Sequence, residues 1–164
     1  MKSPEKELLS VIREVEQTLA RVSEESASWK SDPNTWSAKE IIGHLIDSAS
    51  INHGRFVRGQ LSDNLVFEGY QQDDWVSTQC YQERSFAELI SLWLKLNYHL
   101  SHVFARTPIS VRQAQRSQHN LHEIAWHLVP PDESTTLEYF MFDYVEHVKH
   151  HLAQIHQRLS TAAK

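Results

Sequence analysis

His147 and His151 stand four positions apart in DYVEHVKHHLAQI, residues 143–155, where apolar residues recur at helical spacing. That spacing puts both imidazoles on one helical face, one turn apart, a common way for a helix to offer two ligands to a divalent metal. The glutamate that acts as general base in an HExxH motif is missing between them. With 11 His in 164 residues, about one such pair arises by chance, so the pair needs a third ligand and a context.

The context is a set of capped, amphipathic segments. Ser3 followed by Pro4, Glu5 and Glu7 is a helix start, and the stripe Leu8, Ile12, Val15, Leu19, Val22 predicts a first helix ending near Glu25 or Ser26. Ser37-Ala-Lys-Glu40 is a capping box, with Trp36 placed to staple onto Ile41. It opens a second helix over Ala38 to about Arg58, with an apolar arc of Ile41, Ile42, Leu45, Ile46, Ala49, Phe56 and Val57. His44, Ser48, Ile51 and Arg55 form a line on the flank of that arc, where a helix faces a crevice with its neighbour. His44 has a plainer reading too, a pairing with Glu40 one turn earlier, and spacing leaves both open.

Residues 59–84 form a connection longer than bundle helices need, either functional or crossing the bundle from end to end. Its cluster Tyr70, Asp73, Asp74, Trp75 can cover a site or sit in a solvated loop anchored by the indole. Ser85-Phe-Ala-Glu88 caps a third helix whose stripe includes Leu89, Leu92, Trp93, Leu96, Leu100 and Phe104, running to about Arg106 before Pro108. His99 and His102 on it read as structural or surface residues. Residues 109–134 carry little pattern: Asn120 can cap a short helix through Glu123 and Trp126, or the stretch runs extended under the bundle's end. Thr135-Thr-Leu-Glu138 is a third capping box, predicting a fourth helix to about Leu159 with the stripe Leu137, Met141, Val148, Leu152, Ile155, Leu159. Phe140, Tyr144, His147 and His151 line its flank, and His150 points away. The flank of the fourth helix matches that of the second, so His44 can face the histidine pair across one crevice.

Composition narrows the class. Only 4 Gly and 5 Pro favour an all-α fold of one domain over residues 1–164. The single cysteine, Cys80, forms no internal bridge, and MKSPEKELL has no apolar leader core, so a cytoplasmic home is expected. No apolar run reaches the roughly 20 residues of a membrane span. Net charge is −5 and the basic residues are scattered, which disfavours nucleic acid as a partner. The 5 Trp and 5 Tyr are unusually many for a small helical chain and suit a core or pocket walls.

Taken together, WSAKEIIGHLIDSASINHGRF, YQQDDW and DYVEHVKHHLAQI, in this order, resemble the DinB and YfiT-like family of metal-dependent enzymes. The resemblance implies a four-helix bundle with long connections, often dimeric, in which one His of the second helix and an HxxxH pair of the fourth hold a divalent metal. Those positions match His44, His147 and His151. The link motif of similar sequences reads Tyr-Asp-Gln-Asp-x-Trp, and Gln71 here stands in place of the first acid.

Three imidazoles leave a coordination position open, as catalytic zinc sites do. Zinc or nickel is expected, with iron as a further candidate, because imidazole suits them all. Such an ion activates water or a thiol near neutral pH. The resemblance implies an S-transferase-like reaction of a low-molecular-weight thiol with an electrophile. A hydrolase using water needs the same open metal, and a bundle that binds a metal or partner without turnover would carry the same ligands. Tyr144 is placed to donate to a developing negative charge. Asp143 can orient a ligand imidazole or face solvent, and Ser48, Tyr70, Asp73 and Trp75 are candidates for the pocket wall. A small-molecule substrate and a homodimer are expected.

Overall fold

The computed structural model describes residues 2–163; Met1 and Lys164, the ends of the domain expected over 1–164, lie outside the described residues. Four long helices carry the core: α1 Pro4–Thr18, α3 Ala38–Gln60, α5 Phe86–Arg106 and α8 Leu137–Ala162. Short ones lie between them: α2 Glu24–Ser28, α4 Gln72–Gln79, α6 Ile109–Arg112 and α7 Leu121–Ile124, with a 3-10 turn at Tyr81–Glu83. Among the described residues α1 packs on α5 and α8, and α3 packs on the same two helices. The chain is thus an all-α four-helix bundle in which α1 and α3 are diagonal, as are α5 and α8. Helices consecutive in sequence are therefore not always neighbours, which is why the connections are long.

The apolar stripes meet in one core, with Leu8, Ile12, Val15, Ile42, Leu45, Phe56, Leu89, Trp93, Phe104, Met141, Val148 and Ile155 all buried. Phe56 meets Phe104 edge to face, ring centroids 4.9 Å apart, and Tyr144 at 5.7 Å, so the aromatic surplus fills the bundle's centre. Val57 and Leu92, which the periodicity assigns to apolar faces, are exposed.

Several ends differ from those read in the sequence. The first helix stops at Thr18, and a separate α2 is capped by Ser23, whose hydroxyl accepts from the Ser26 amide. The capping box on α3 is complete: Ser37 Oγ accepts from the Glu40 amide and Glu40 accepts from the Ser37 amide. On α5, Ser85 accepts from Glu88, while the Glu88 carboxylate pairs with Arg84 at 3.5 Å. On α8 the cap is Thr136, accepting from the Tyr139 amide, because the Thr135 backbone exchanges two hydrogen bonds with Arg116. The side chain of Glu138, freed from the expected box, pairs with Arg112 at 2.9 Å.

The long connections are also ordered differently. Residues 59–84, which show little helical period, contain α4. It is tied to α3 by the buried Asp47, which accepts from the Gln79 amide group and the Tyr81 hydroxyl, each at 2.6 Å. Burial raises the Asp47 carboxyl above its ordinary value, against the pull of those two donors. The Tyr81 ring lies against Gly43, where only a hydrogen fits. Asn120 precedes α7 but its side chain does not cap it; instead its amide pairs with both backbone groups of Phe67, at 3.0 and 2.8 Å. Leu65 and His119 add a short parallel bridge. The two long connections are thus strapped to each other, and both reach the crevice between α3 and α8.

Candidate metal centre in the α3–α8 crevice

His44 from α3 and His147 and His151 from α8 converge in that crevice. One ligand atom from each lies within 4.8 Å of the others, close enough to share a single metal ion. The Nε2 atoms of His44 and His147 are 3.3 Å apart. Ring centroids are 4.6 Å apart for His44 and His151 and 4.5 Å for His147 and His151, each pair near perpendicular. His44 is 1% exposed, and it does not pair with Glu40, whose carboxylate serves the cap and Lys30.

Burial keeps the imidazoles neutral. It pushes His44 down to about 3, helped by its neighbour His151, and His147 down to about 2, helped by His151, His44 and His150. His151 is lowered by burial as well, opposed by a hydrogen bond with Gln154. Neutral imidazole is the form that ligates metals, so the donor set fits a divalent ion.

Gln154 decides the orientation of His151. Its Oε1 lies 2.8 Å from His151 Nδ1, which must donate, leaving Nε2 as a lone pair. The other end of the same amide, Nε2, lies 3.2 Å from His150 Nε2. His150 points away from the triad but holds the amide that aims it.

Asp143 does not contact an imidazole of the triad. Its two oxygens accept from the backbone amides of Trp126 and His127 at 2.8 and 2.7 Å, and His127 Nδ1 lies 3.1 Å away. This buried carboxylate pins the segment after α7, residues 125–127, onto α8 and sets Trp126 over the histidines. The Trp126 ring is 4.5 Å from His150 and 5.6 Å from His147, centroid to centroid. Trp36 covers His44 from the other side at 5.3 Å.

Beside the triad is a cavity of about 470 Å³. Ser48, Tyr70, Asp73, Asp143 and Tyr144 all line it, with Arg55 and Trp126 completing the wall. Trp75 does not reach this wall; it is exposed and packs edge-on against Tyr70 at 5.4 Å. Tyr144 is buried with its hydroxyl donating to Asn97 Oδ1 at 2.6 Å, so its one proton is held inside the bundle. Tyr70 is the phenol that faces the cavity with its proton firmly kept. Burial and the Asp47 carboxylate push it up to about 12, with Arg55 and a Ser48 hydrogen bond acting the other way. Trp126, Gln154 and Asn52 are wall or orienting residues to which spacing assigns no role. Arg55 alone had a signal, as the last member of the His44, Ser48, Ile51 line.

Fold and crevice define the class: a four-helix bundle holding three converging histidines between two of its helices. The model of the DinB superfamily matches residues 7–155, and the chain belongs to that superfamily. It is 25% identical over 126 residues to a protein of Halalkalibacterium halodurans named "Putative metal-dependent hydrolase BH0277", covering 77% of this chain and 67% of that one. Its fold matches YfiT from Bacillus subtilis with a TM-score of 0.76, over 98% of this chain and 86% of that one at 16% identity. That protein is described as "a probable metal-dependent hydrolase with an unusual four-helix bundle topology".

Proposed function

We propose that this protein is a metal-dependent enzyme in which His44, His147 and His151 hold one divalent ion at the wall of the substrate cavity. The observation that carries the reading is the convergence of three neutral imidazoles, one ligand atom each, on a single point beside a cavity. When bound, such an ion supplies the positive charge that makes water or a thiol nucleophilic near neutral pH. The chain's own residues do the rest. Gln154 keeps the His151 lone pair aimed at the ligand point, Asp143 holds the Trp126 loop that screens it from bulk water, and Tyr70, keeping its proton, offers a hydroxyl hydrogen bond to substrate.

The finer reading is transfer of a small thiol to an electrophile. Its support is the commitment of Asp143, the buried carboxylate that lines the cavity, to two backbone amides. Water needs a base to accept its proton, whereas a thiol has a lower pKa to begin with. The names given to the relatives favour the second reading, hydrolysis, and Asp73 on the cavity wall is an acid that serves it. Zinc or nickel suits three imidazoles. A homodimer in the cytoplasm belongs to the same proposal, and sedimentation showing only monomer removes the dimer.

Elemental analysis of purified protein beside its His44→Ala and His147→Ala variants tests the centre: stoichiometric metal is expected in the parent and none in either variant. Equal metal in all three sinks it. Incubation of metal-loaded protein with a panel of electrophiles, with and without a small thiol, separates the reactions. Consumption that needs the thiol supports transfer; consumption indifferent to it supports hydrolysis.

A further inference from the structure

Arg55 sits on α3 three turns beyond His44 and is 3% exposed. A guanidinium buried to that degree is ordinarily paired with a carboxylate, because an uncompensated charge away from water is costly. Among the described residues Arg55 makes no ion pair. Nη2 donates to the Glu68 carbonyl at 2.6 Å and Nη1 donates to Asn52 Oδ1 at 3.3 Å, both neutral acceptors, and the buried Nε has no partner. Arg58 is the nearby like charge and Tyr70 a neutral phenol. The acids on the same wall are otherwise placed: Asp73 and Glu123 are exposed and outside ion-pair distance, and Asp143 is held by the Trp126 loop. Asp47, the buried acid on α3, is tied through one oxygen to Gln79 and Tyr81. Arginine stays protonated at any ordinary pH, so the cavity carries a fixed positive charge at one end that no carboxylate among the described residues pairs with.

We propose that Arg55 is the binding subsite for an oxyanion, carboxylate or phosphate, carried by the substrate or its thiol cosubstrate. The Glu68 carbonyl and Asn52 hold two of its nitrogens, fixing the fork and leaving the remaining N–H groups for the ligand. The rise from His44 to Arg55 is about 16 Å along the helix, and the arginine side chain leans back toward the helix start. The ligand is therefore elongated, its anionic end about 10 Å from its reacting end. This rests on the reading of the cavity as the substrate site of a metal enzyme, and adds the chemical class of what enters it.

The test reads Arg55 directly. Protein labelled with nitrogen-15 is titrated, zinc-loaded and metal-free, with acetate, inorganic phosphate and, as a neutral control, acetamide. The Arg55 Nε–H resonance, assigned by its loss in Arg55→Lys, is expected to shift saturably with at least one anion, with a Kd of about 1 to 10 mM, and not with acetamide. The anion with the larger response identifies the group. Read at the Asn52 side-chain amide, which contacts the guanidinium and survives the substitutions, Arg55→Met is expected to weaken anion binding at least tenfold at unchanged zinc content and circular dichroism, and Arg55→Lys to keep part of it. His44→Ala is expected to lose zinc and keep the anion response, so failure of the metal centre and failure of the subsite give different patterns. Undiminished anion binding in folded Arg55→Met or Arg55→Lys, or no saturable shift in the parent with either anion, overturns the proposal.

Discussion

The Nε2 atoms of His44 and His147, 103 positions apart in the chain, stand 3.3 Å from each other with their rings nearly perpendicular. At most one of the two nitrogens carries a hydrogen in that contact, and neither imidazole takes a second proton readily at its depth. The pair is held together by the packing of α3 on α8, and His151 closes the triangle.

The neutrality of these histidines makes the metal-free protein acid-sensitive. The folded values of about 3 for His44 and about 2 for His147 lie below the ordinary 6.5. Between those limits the unfolded chain binds protons that the folded chain refuses, so stability rises with pH. The stability is complete above pH 6.5 and is lost as pH falls toward 3, at about 1.4 kcal/mol per pH unit for each histidine. Urea unfolding of metal-free protein from pH 7.5 to 5 should show the decline, and His44→Gln should flatten it. A midpoint independent of pH over that range contradicts the neutral cluster.

Removing Gln154 should loosen the metal without removing a ligand. Gln154→Leu leaves the three imidazoles in place but frees the His151 ring to rotate, with an expected loss of about 10- to 100-fold in zinc affinity. His150→Ala, which only steadies the far end of the same amide, should cost less. Competition with a chromophoric chelator measures both. Affinity in Gln154→Leu equal to that of the parent would mean that the packing of α8 alone orients His151.

Asp143 should govern the Trp126 loop. Asp143→Ala leaves the Trp126 and His127 amides without their acceptor, an expected loss of about 1 to 3 kcal/mol, and Asn, keeping one oxygen, should lose less. Hydrogen exchange at those two amides is the direct readout, with faster exchange in the order parent, Asn, Ala. Unchanged protection in the alanine variant would show that the loop is held by something other than this carboxylate.

Gly43 supplies a test of sign. In an exposed helix position Gly→Ala stabilises by about 1 kcal/mol. Here the new methyl would fall inside the Tyr81 ring, so Gly43→Ala should destabilise by about 1 to 3 kcal/mol. In a Tyr81→Ala background the same change should turn neutral or favourable. Chemical denaturation of the four proteins completes the cycle, and a stabilising Gly43→Ala in the parent would show that Tyr81 moves aside freely.

What the sequence determined by itself was everything local. The serine cap at Ser37 with its Glu40 and the one-turn spacing of His147 and His151 follow from contacts within a few residues and are present as read; the helical stripes are present except at Val57 and Leu92, which are exposed, and beyond Thr18, where the first helix stops. The His44 flank was legible for the same reason, since helical geometry relates positions 41 to 55. What the tertiary structure decided were partners far apart in the chain. Thr136 and not Thr135 caps α8 because the Thr135 backbone is taken by Arg116, and α4 forms where Asp47 receives Gln79 and Tyr81. Tyr144 gives its proton to Asn97, and Asp143 serves a loop whose sequence carries no period. A polar side chain takes whichever partner folding brings to it, and no spacing rule records which one arrives. For the same reason the burial of Arg55 without an ion pair among the described residues shows only once the acids of the cavity wall have their places.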